Sequence, residues 1–388
     1  MTLALLVVLG VSFHNFSFTE PEVFIEDCLS LPTEVFSQTD KRGKLKHARE
    51  LDEVFTLTPW DALGFPRIDE KMELALQHQL QVLESSKFKD GQKVGNLRMN
   101  YEDLKTVIEV IARRVKTNPD DLHQYLDAYQ VKGDDGRGNV YFTGYYTPAL
   151  KVKSKKDRKY KYPLYAFPDE WSGKMPSRKD IDRNKVLAGQ GLELAYAANP
   201  FDVYMMQLQG SGTVEFLDTK KRMLFRYAGE NGHPYRNIEH FFKRKEDISI
   251  GNLSPDGMRR FLNKNPHLMD SVLSYNPSYV FFAPKRGKIK GAGQVPLIED
   301  VSIAVDTRYF PYGSVVLAAV PVYKNNKVTH HEYRILLPHD IGGAIKGPGH
   351  VDMYFGEGDS GRAKASAMHS YGRIWILMPK KNEQVAMN

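Results

Sequence analysis

The spacing of apolar positions changes character about a third of the way along the chain. Between residues 45 and 130 apolar side chains recur at helical intervals. Met72, Leu76, Leu80 and Leu83 follow Asp69 at steps of four, four and three, which predicts a helix capped by that aspartate. Asn100 precedes Leu104, Val107, Ile108 and Ile111 in the same way. "NPDDLHQYL" starts a further helix with Pro119 in its first turn, where a missing N–H costs nothing. An N-terminal helical subdomain is therefore expected, whereas residues 14–44 carry no clear pattern.

From Gly133 onward the period shortens to two. "GDDGRGNVYFTGYYTPAL" is a turn leading into a β-rich aromatic run. "YKYPLYAFP", "GTVEF", "RMLFRYAG", "SYVFF", "SIAVD", "SVVLAAVPVY", "YRILLP" and "GRIWILMP" follow as short strands divided by Gly, Pro, Asn or Asp turns, and "GTVEFLDTKKRMLFRYAG" predicts a hairpin. Many short strands with few helices between them point to a mainly β fold of barrels rather than a doubly wound sheet. "FFAPKRGKIKGAGQVP" marks a boundary near residue 285.

Composition adds limits. At 388 residues, with 41% hydrophobic and 26% charged residues, the chain is globular and long enough for two or three domains. The net charge is +7, with Lys and Arg spread along the chain rather than gathered in one arm. A basic surface favours anionic polymers: nucleic acid, membrane surfaces or acidic wall glycans. With no zinc-finger spacing, Walker loop or RNA-binding aromatic motif, nucleic acid is not an expected partner. The single Cys28 excludes an intrachain disulfide and a Cys-based metal site. The apolar run Thr2 to Phe13 is too short to span a bilayer and matches a signal-peptide core, so a signal segment over 1–20 and export are expected. "IED" before Cys28 does not fit lipoprotein processing, so a lipid anchor is not supported.

The candidate chemistry gathers in residues 291–378. Asp306 in "VDTRYFPYG", Asp340 in "HDIGGAIKG" and Asp352 in "VDMYFG" stand at strand ends or turns. A lone aspartate there ordinarily caps a turn. Collected by a barrel, such carboxylates can polarise a glycosidic bond, whose poor leaving oxygen needs a proton. Asp352 lies among Val351, Met353, Tyr354 and Phe355, where desolvation would raise its pKa and suit it to general-acid work. Asp340 precedes Ile341 and the Gly342–Gly343 pair, whose amides would favour its anion, so it reads as the fixed charge or hydrogen-bond partner.

A second group lies mid-chain. "FTGYYTP", with Gly144, Tyr145 and Thr147, and "MQLQGSG", with Gln209 and Ser211, place hydroxyls, amides and aromatic faces beside glycines, as saccharide binding needs. Hairpin and turn structure with core tyrosines explains the same residues equally well. "YAGENGHPYRNI", with His233 and Arg236, reads as a polar turn. "HHE" at His330 to Glu332 does not suggest a metal site, since neighbours on a strand face opposite ways. "GEGDSG" lacks the ending of a phosphate loop, and "QGSGT" lacks nucleophile-elbow spacing.

With those residues in view, the chain resembles the MltA family, the membrane-bound lytic murein transglycosylase A group. The matching segments run in family order: "FTGYYTP", "QLQGSG", "YAGENGHPYRNI", "NPSYVFF", "GAGQVPL", "DTRYFPYG", "HDIGGAIKG", "VDMYFG" and "YGRIWIL". "IKGPGHVD" carries one residue more than the family's spacing. The resemblance implies a double-psi β-barrel with N-terminal helices, built from 45–148 and 285–388 and containing a 3D domain at about 291–380. A second β-barrel-like domain, 149–284, would be inserted to bind substrate. It further implies cleavage of the β-1,4 bond between N-acetylmuramic acid and N-acetylglucosamine with formation of a 1,6-anhydro ring. Asp352 would be the single acid/base, supported by Asp340 and Asp306, with Gly144, Tyr145, Thr147, Gln209, Ser211 and Gly343 contacting the glycan. No metal or organic cofactor is implied. Peptidoglycan strands would be the partner, for a monomer in the Gram-negative periplasm, associated with the outer membrane or with other wall enzymes. A two-carboxylate glycoside hydrolase and a non-catalytic wall-binding protein are the alternatives.

Overall fold

The computed structural model describes residues 54–380, apart from 65, 67–69, 86–89, 115–120, 134, 245–247, 249, 252, 325–326 and 344. The signal segment, Cys28, the Asp69 cap and Pro119 lie outside the described residues. In chain order the first strands are β1 (Phe55–Thr58), β2 (Gln92–Val94), β3 (Leu97–Met99), β4 (Leu126–Val131) and β5 (Val140–Thr147). Next come β6 (Ala149–Lys153), β7 (Tyr162–Tyr165), β8 (Glu193–Ala197), β9 (Ser211–Phe216), β10 (Arg222–Glu230) and β11 (Val280–Lys285). The last are β12 (Ser302–Ala304), β13 (Val316–Lys324), β14 (Lys327–Asp340), β15 (His350–Glu357) and β16 (His369–Pro379). The described chain divides into two compact units, one of 54–145, 290–356 and 367–380, the other of 146–289 and 357–366.

The first unit holds an eight-stranded sheet in the order β1-β4-β16-β13-β14-β12-β15-β5, and β5 pairs back onto β16. That last pairing joins six strands into a nearly closed, barrel-like ring, with β4 and β1 extending it. Phe142, Phe310 and Trp375 are almost wholly buried in this unit, together with aliphatic residues of its strands such as Ile303, Leu317, Leu337 and Ile374. Trp375 stacks on Tyr333 with ring centroids 5.8 Å apart and donates its indole N–H to Thr58 Oγ1. Helix Lys71–Ser85 packs on β14 and helix Tyr101–Arg114 on β16. Met72, Leu76 and Leu83 are buried as their spacing predicts, but Gln79 is buried too, donating its amide to Ser314 O at 2.5 Å. The N-terminal segment is not helical throughout. "FTLT" and "LDAYQV" alternate and become β1 and β4, and in "NPDDLHQYL" the described helix is the single turn Leu122–Tyr125.

The second unit holds a six-stranded sheet, β11-β10-β9-β6-β8-β7, antiparallel except between β6 and β9. The β9–β10 hairpin matches the sequence reading. Leu150, Val152, Leu164, Val214, Phe225 and Phe282 form its apolar core with Met206. This unit contains more helix than its turn-rich sequence suggests. Helix Pro200–Gln209 is buried on most of its circumference, so it shows no amphipathic period, and its ends are marked only by the Asn199 cap, Pro200 and a left-handed Gly210. Helices Glu239–Arg244, Pro255–Lys264 and Met269–Leu273 build a second cluster around Phe201, Tyr204 and Met258.

Candidate active site

Asp352 stands in β15, whose residues Val351 to Gly356 are all buried. With both faces of this strand covered, the alternation that would have put Asp352 or its neighbours in solvent is lost. The Asp352 side chain has no exposure, and burial pushes its pKa up to about 7. The negative charge of Asp340 pushes the same way, while a hydrogen bond from Thr143 pulls it back. Thr143 Oγ1 donates to Asp352 Oδ1 at 2.7 Å, and Asp352 Oδ2 is buried without a partner among the described residues.

Thr143 links Asp352 to a histidine. Its hydroxyl oxygen lies 3.0 Å from His350 Nε2, and burial lowers the His350 pKa to about 4, so the ring is neutral. A hydroxyl has one hydrogen. Because Thr143 gives it to Asp352, the hydrogen-bond network assigns the His350 proton to Nε2. His350, Thr143 and Asp352 thus form a directed chain that ends on Oδ1, leaving Oδ2 as the oxygen that carries the proton of the neutral acid.

Asp340 ends β14 and differs in every respect that matters electrostatically. Its Oδ1 accepts the amide hydrogens of Ala292 at 2.8 Å and Ile341 at 2.9 Å, and Oδ2 accepts the Tyr145 hydroxyl at 3.0 Å. Three donors aimed at one carboxyl group suit an anion. The turn after Asp340 contributes through Ile341 N–H, and a second amide comes from the distant "GAGQVP" segment. That approach requires glycine: a Cβ on Gly291 would stand 2.3 Å from His339 O and 3.1 Å from Asp340 Cβ. Tyr145 is a reliable donor, since burial and the Asp340 charge push its hydroxyl pKa well above the usual range. Its ring packs 5.2 Å from that of Tyr354.

β12 brings the two carboxyl groups together. Ala304 is the register partner of Asp352 on β15 and of Asp340 on β14, so the aspartates stand on strands flanking one residue. Asp306 follows two positions later and is bound differently. Arg308 grips its carboxylate through Nε and Nη2, and Gly347 N–H donates at 2.9 Å. Burial alone would raise the Asp306 pKa, but the Arg308 and Gly347 hydrogen bonds outweigh it and hold the group below its ordinary value. The three aspartates are therefore a buried carboxyl group with a raised pKa, a carboxylate held by three hydrogen bonds, and an ion-paired anchor for the loop that leads to β15.

Gly144 is half-buried between Thr143 and Tyr145, and Gly343 is half-buried in the turn after Asp340. Thr147, Gln209 and Ser211 belong to the other unit. There Thr147 is buried, Ser211 opens β9, and Gln209 ends a helix with its Oε1 buried and without a partner among the described residues. "YAGENGHPYRNI" is built around Asn231, which donates to Pro176 O and Pro277 O and accepts from Tyr279 N–H, while His233 Nε2 meets Met175 O. In "HHE", His330 and Glu332 pair on one face at 3.5 Å and His331 turns to the other, against Tyr371 O. Among the described residues no three His, Cys, Asp or Glu side chains are placed to hold a metal.

Sequence reasoning passed over Thr143, His350, Ala292 and Arg308. For Thr143 a signal existed: it shares a face of β5 with Tyr145 by the two-residue period. Ala292 acts through its backbone, which leaves no mark in the residue type.

The family model described as "MltA specific insert domain" matches residues 141–283, and the "3D domain" model matches 301–378. The membrane-bound lytic murein transglycosylase A of Escherichia coli K12 is 36% identical over 256 residues, 65% of this chain and 69% of that protein. The protein of the same name from Vibrio cholerae is 34% identical over 265 residues, 67% of this chain and 71% of that protein. Among solved structures, E. coli MltA with bound chitohexaose superposes with a TM-score of 0.71 at 30% identity, covering 88% of this chain and 99% of that one. The lytic transglycosylase LtgG of Burkholderia pseudomallei gives 0.58 at 26% identity, covering 84% and 96%.

Proposed function

The chain belongs to the membrane-bound lytic murein transglycosylase A family, and from that membership and the proton inventory of its site we propose that it is a peptidoglycan lytic transglycosylase. The bond cleaved is the β-1,4 link between N-acetylmuramic acid and N-acetylglucosamine, and the product ends in a 1,6-anhydro ring. Asp352 serves as the single acid and base. Its Oδ2 proton passes to the departing glycosidic oxygen as the bond to C1 breaks. The resulting carboxylate takes the proton of the muramoyl C6 hydroxyl, whose oxygen bonds to C1, and the acid is restored. No water enters the balance, so one proton shuttle suffices where an inverting hydrolase needs two carboxyl groups.

The observation that carries this reading is the state of Asp352: wholly buried, with a pKa of about 7, one oxygen held by Thr143 and the other unpartnered. An acid so poised can both give and recover a proton near neutrality. Asp340 supplies a fixed negative charge that raises the proton affinity of Asp352 and would stabilise positive charge developing at C1. Asp306 anchors the Gly347 loop. Gly144, Tyr145 and Gly343 in one unit, and Thr147, Gln209 and Ser211 in the other, are assigned to glycan contact, where the unpartnered Gln209 Oε1 would accept a sugar hydroxyl or amide hydrogen. A relative has been solved with chitohexaose bound, which supports glycan strands as the substrate class. The relatives' names support a membrane-associated periplasmic setting. No helix among the described residues is long and apolar enough to cross a membrane.

Mass spectrometry of the products released from purified sacculi tests the reading. Wild type should release muropeptides ending in 1,6-anhydromuramic acid, and Asp352→Asn should release none. Reducing ends in their place would identify a hydrolase. Binding without turnover would identify a wall-binding protein.

A further inference from the structure

The chain carries 54 Lys and Arg against 47 Asp and Glu, and these are spread widely, but their imbalance is not. Residues 151–161 contain seven Lys or Arg and one Asp, and residues 215–222 contain three Lys or Arg and two acids. Together that is ten against three, an excess of +7, which leaves 44 against 44 elsewhere. Two short segments thus account for the entire net charge. The fold puts them side by side. β6 and β9 run parallel, with Lys151 opposite Glu215, so their following loops leave the same end of the sheet. Ser154 ties the loops by donating its N–H and Oγ–H to Asp218 Oδ2 at 2.9 and 2.6 Å.

The acids in this patch are occupied by the loops themselves. Asp157 accepts the amides of Lys159 and Tyr160 and pairs with Lys153 Nζ at 2.7 Å, and Asp218 holds Ser154. Glu215 stands between Lys151 and Arg222 in strand register, and Arg222 is ion-paired with Glu357. Lys151, Lys155, Lys156, Arg158, Lys159 and Lys161 are exposed, as are Lys220 and Lys221. Tyr160 and Tyr162 lie among them, with the ammonium groups of Lys153, Lys159 and Lys161 5.4–5.6 Å from the ring centroids.

We infer that this loop pair is an electrostatic docking surface for an anionic lipid bilayer. Lysine ammonium groups on flexible stems read charge density rather than the shape of a ligand, and half-buried tyrosines suit the headgroup level of a membrane. A bilayer rich in anionic headgroups presents dense negative charge. A glycan strand with stem peptides carries carboxylates and amines together and presents far less, so the membrane is the better match. The inference goes beyond the catalytic reading and stands on different residues.

Vesicle cosedimentation of the full chain tests it, with phosphatidylcholine vesicles containing or lacking phosphatidylglycerol. Wild type should bind only the anionic vesicles and release at high salt. Lys155→Gln, Lys156→Gln and Lys159→Gln combined should weaken binding about 100-fold, the loss expected when three cations leave a charged surface. The matching triple arginine variant should retain it, and circular dichroism of each variant checks folding. Equal binding to neutral vesicles, or unchanged binding of the glutamine variant, would overturn the inference. So would a glutamine variant that loses retention on sacculi but not on vesicles. Turnover of soluble glycan should be unaffected by the triple variant, so failure of the catalytic reading is seen separately.

Discussion

Thr143 and Asp352, 209 positions apart in sequence, share a hydrogen bond of 2.7 Å that fixes one oxygen of the acid and frees the other. Because the bond favours the ionised carboxylate, it opposes the burial that raises the pKa. Thr143→Val should let the Asp352 pKa climb, moving the alkaline limb of the kcat/KM profile upward from its wild-type midpoint near pH 7. Below that limb the rate should fall about tenfold, because the carboxyl group loses its orientation. Thr143→Ser should restore both. A pH–rate profile on soluble glycan checks the prediction, and an unmoved limb with a lower plateau would reduce Thr143 to packing.

Asp340→Asn should act in the opposite direction. Removing the neighbouring negative charge removes one cause of the raised Asp352 pKa, so the alkaline limb should move to lower pH. Opposite displacements in two variants of one site are hard to produce by general loosening. The same profile measures both.

Asp352 should also lower stability. Its folded pKa, about 7, lies above the unfolded value of about 4. Its favourable contribution is therefore complete below pH 4 and is lost as pH rises through 7, where a buried carboxylate must ionise. Asp352→Asn cannot ionise. Its stability relative to wild type should rise between pH 4 and 7 and level off at no more than about 4 kcal/mol. Urea unfolding at a series of pH values reads the difference, and a flat difference would mean that burial does not perturb the acid.

Gly291→Ala should damage the site from outside it. The added methyl meets His339 O at 2.3 Å and crowds Asp340 Cβ, so the turn that delivers the Ala292 amide must shift. A stability loss of about 1–3 kcal/mol is expected from such overpacking. A larger fractional loss of kcat than the matching Gly251→Ala change, at a glycine with open space around it and no left-handed backbone, would tie the effect to Asp340.

The burial of Asp352 was legible in the sequence because its neighbours are apolar. Val351, Met353, Tyr354 and Phe355 announce burial, and burial alone supplies most of the Asp352 chemistry. The strands were legible by alternation, and the β9–β10 turn by its polar residues. Helix Pro200–Gln209 was not, because seven of its ten residues are buried and no period survives. Only its punctuation remained: Asn199 before Pro200, and Gly210 at the end. The Asp340 environment was half legible. A glycine pair suggested nearby amides, but a donor 48 positions away, supplied by the backbone of an alanine, has no signature in residue type. The charged loops hid for a different reason: counting cations along the chain obscures where they fail to be balanced.

The ring of strands has a consequence in time. β16, the last strand among the described residues, pairs with β4, β13 and β5, and β5 in turn lies beside β15. Thr143 meets Asp352 only when segments 209 positions apart have been brought together across the β5–β15 pairing, and such long-range pairings form late. A chain made only as far as β14 has Thr143 but neither His350 nor Asp352, and so has no proton chain. With Asp352 as the acid proposed above, activity would arise only after these distant segments have met, which would spare a cell that makes such an enzyme from early cleavage of its own wall.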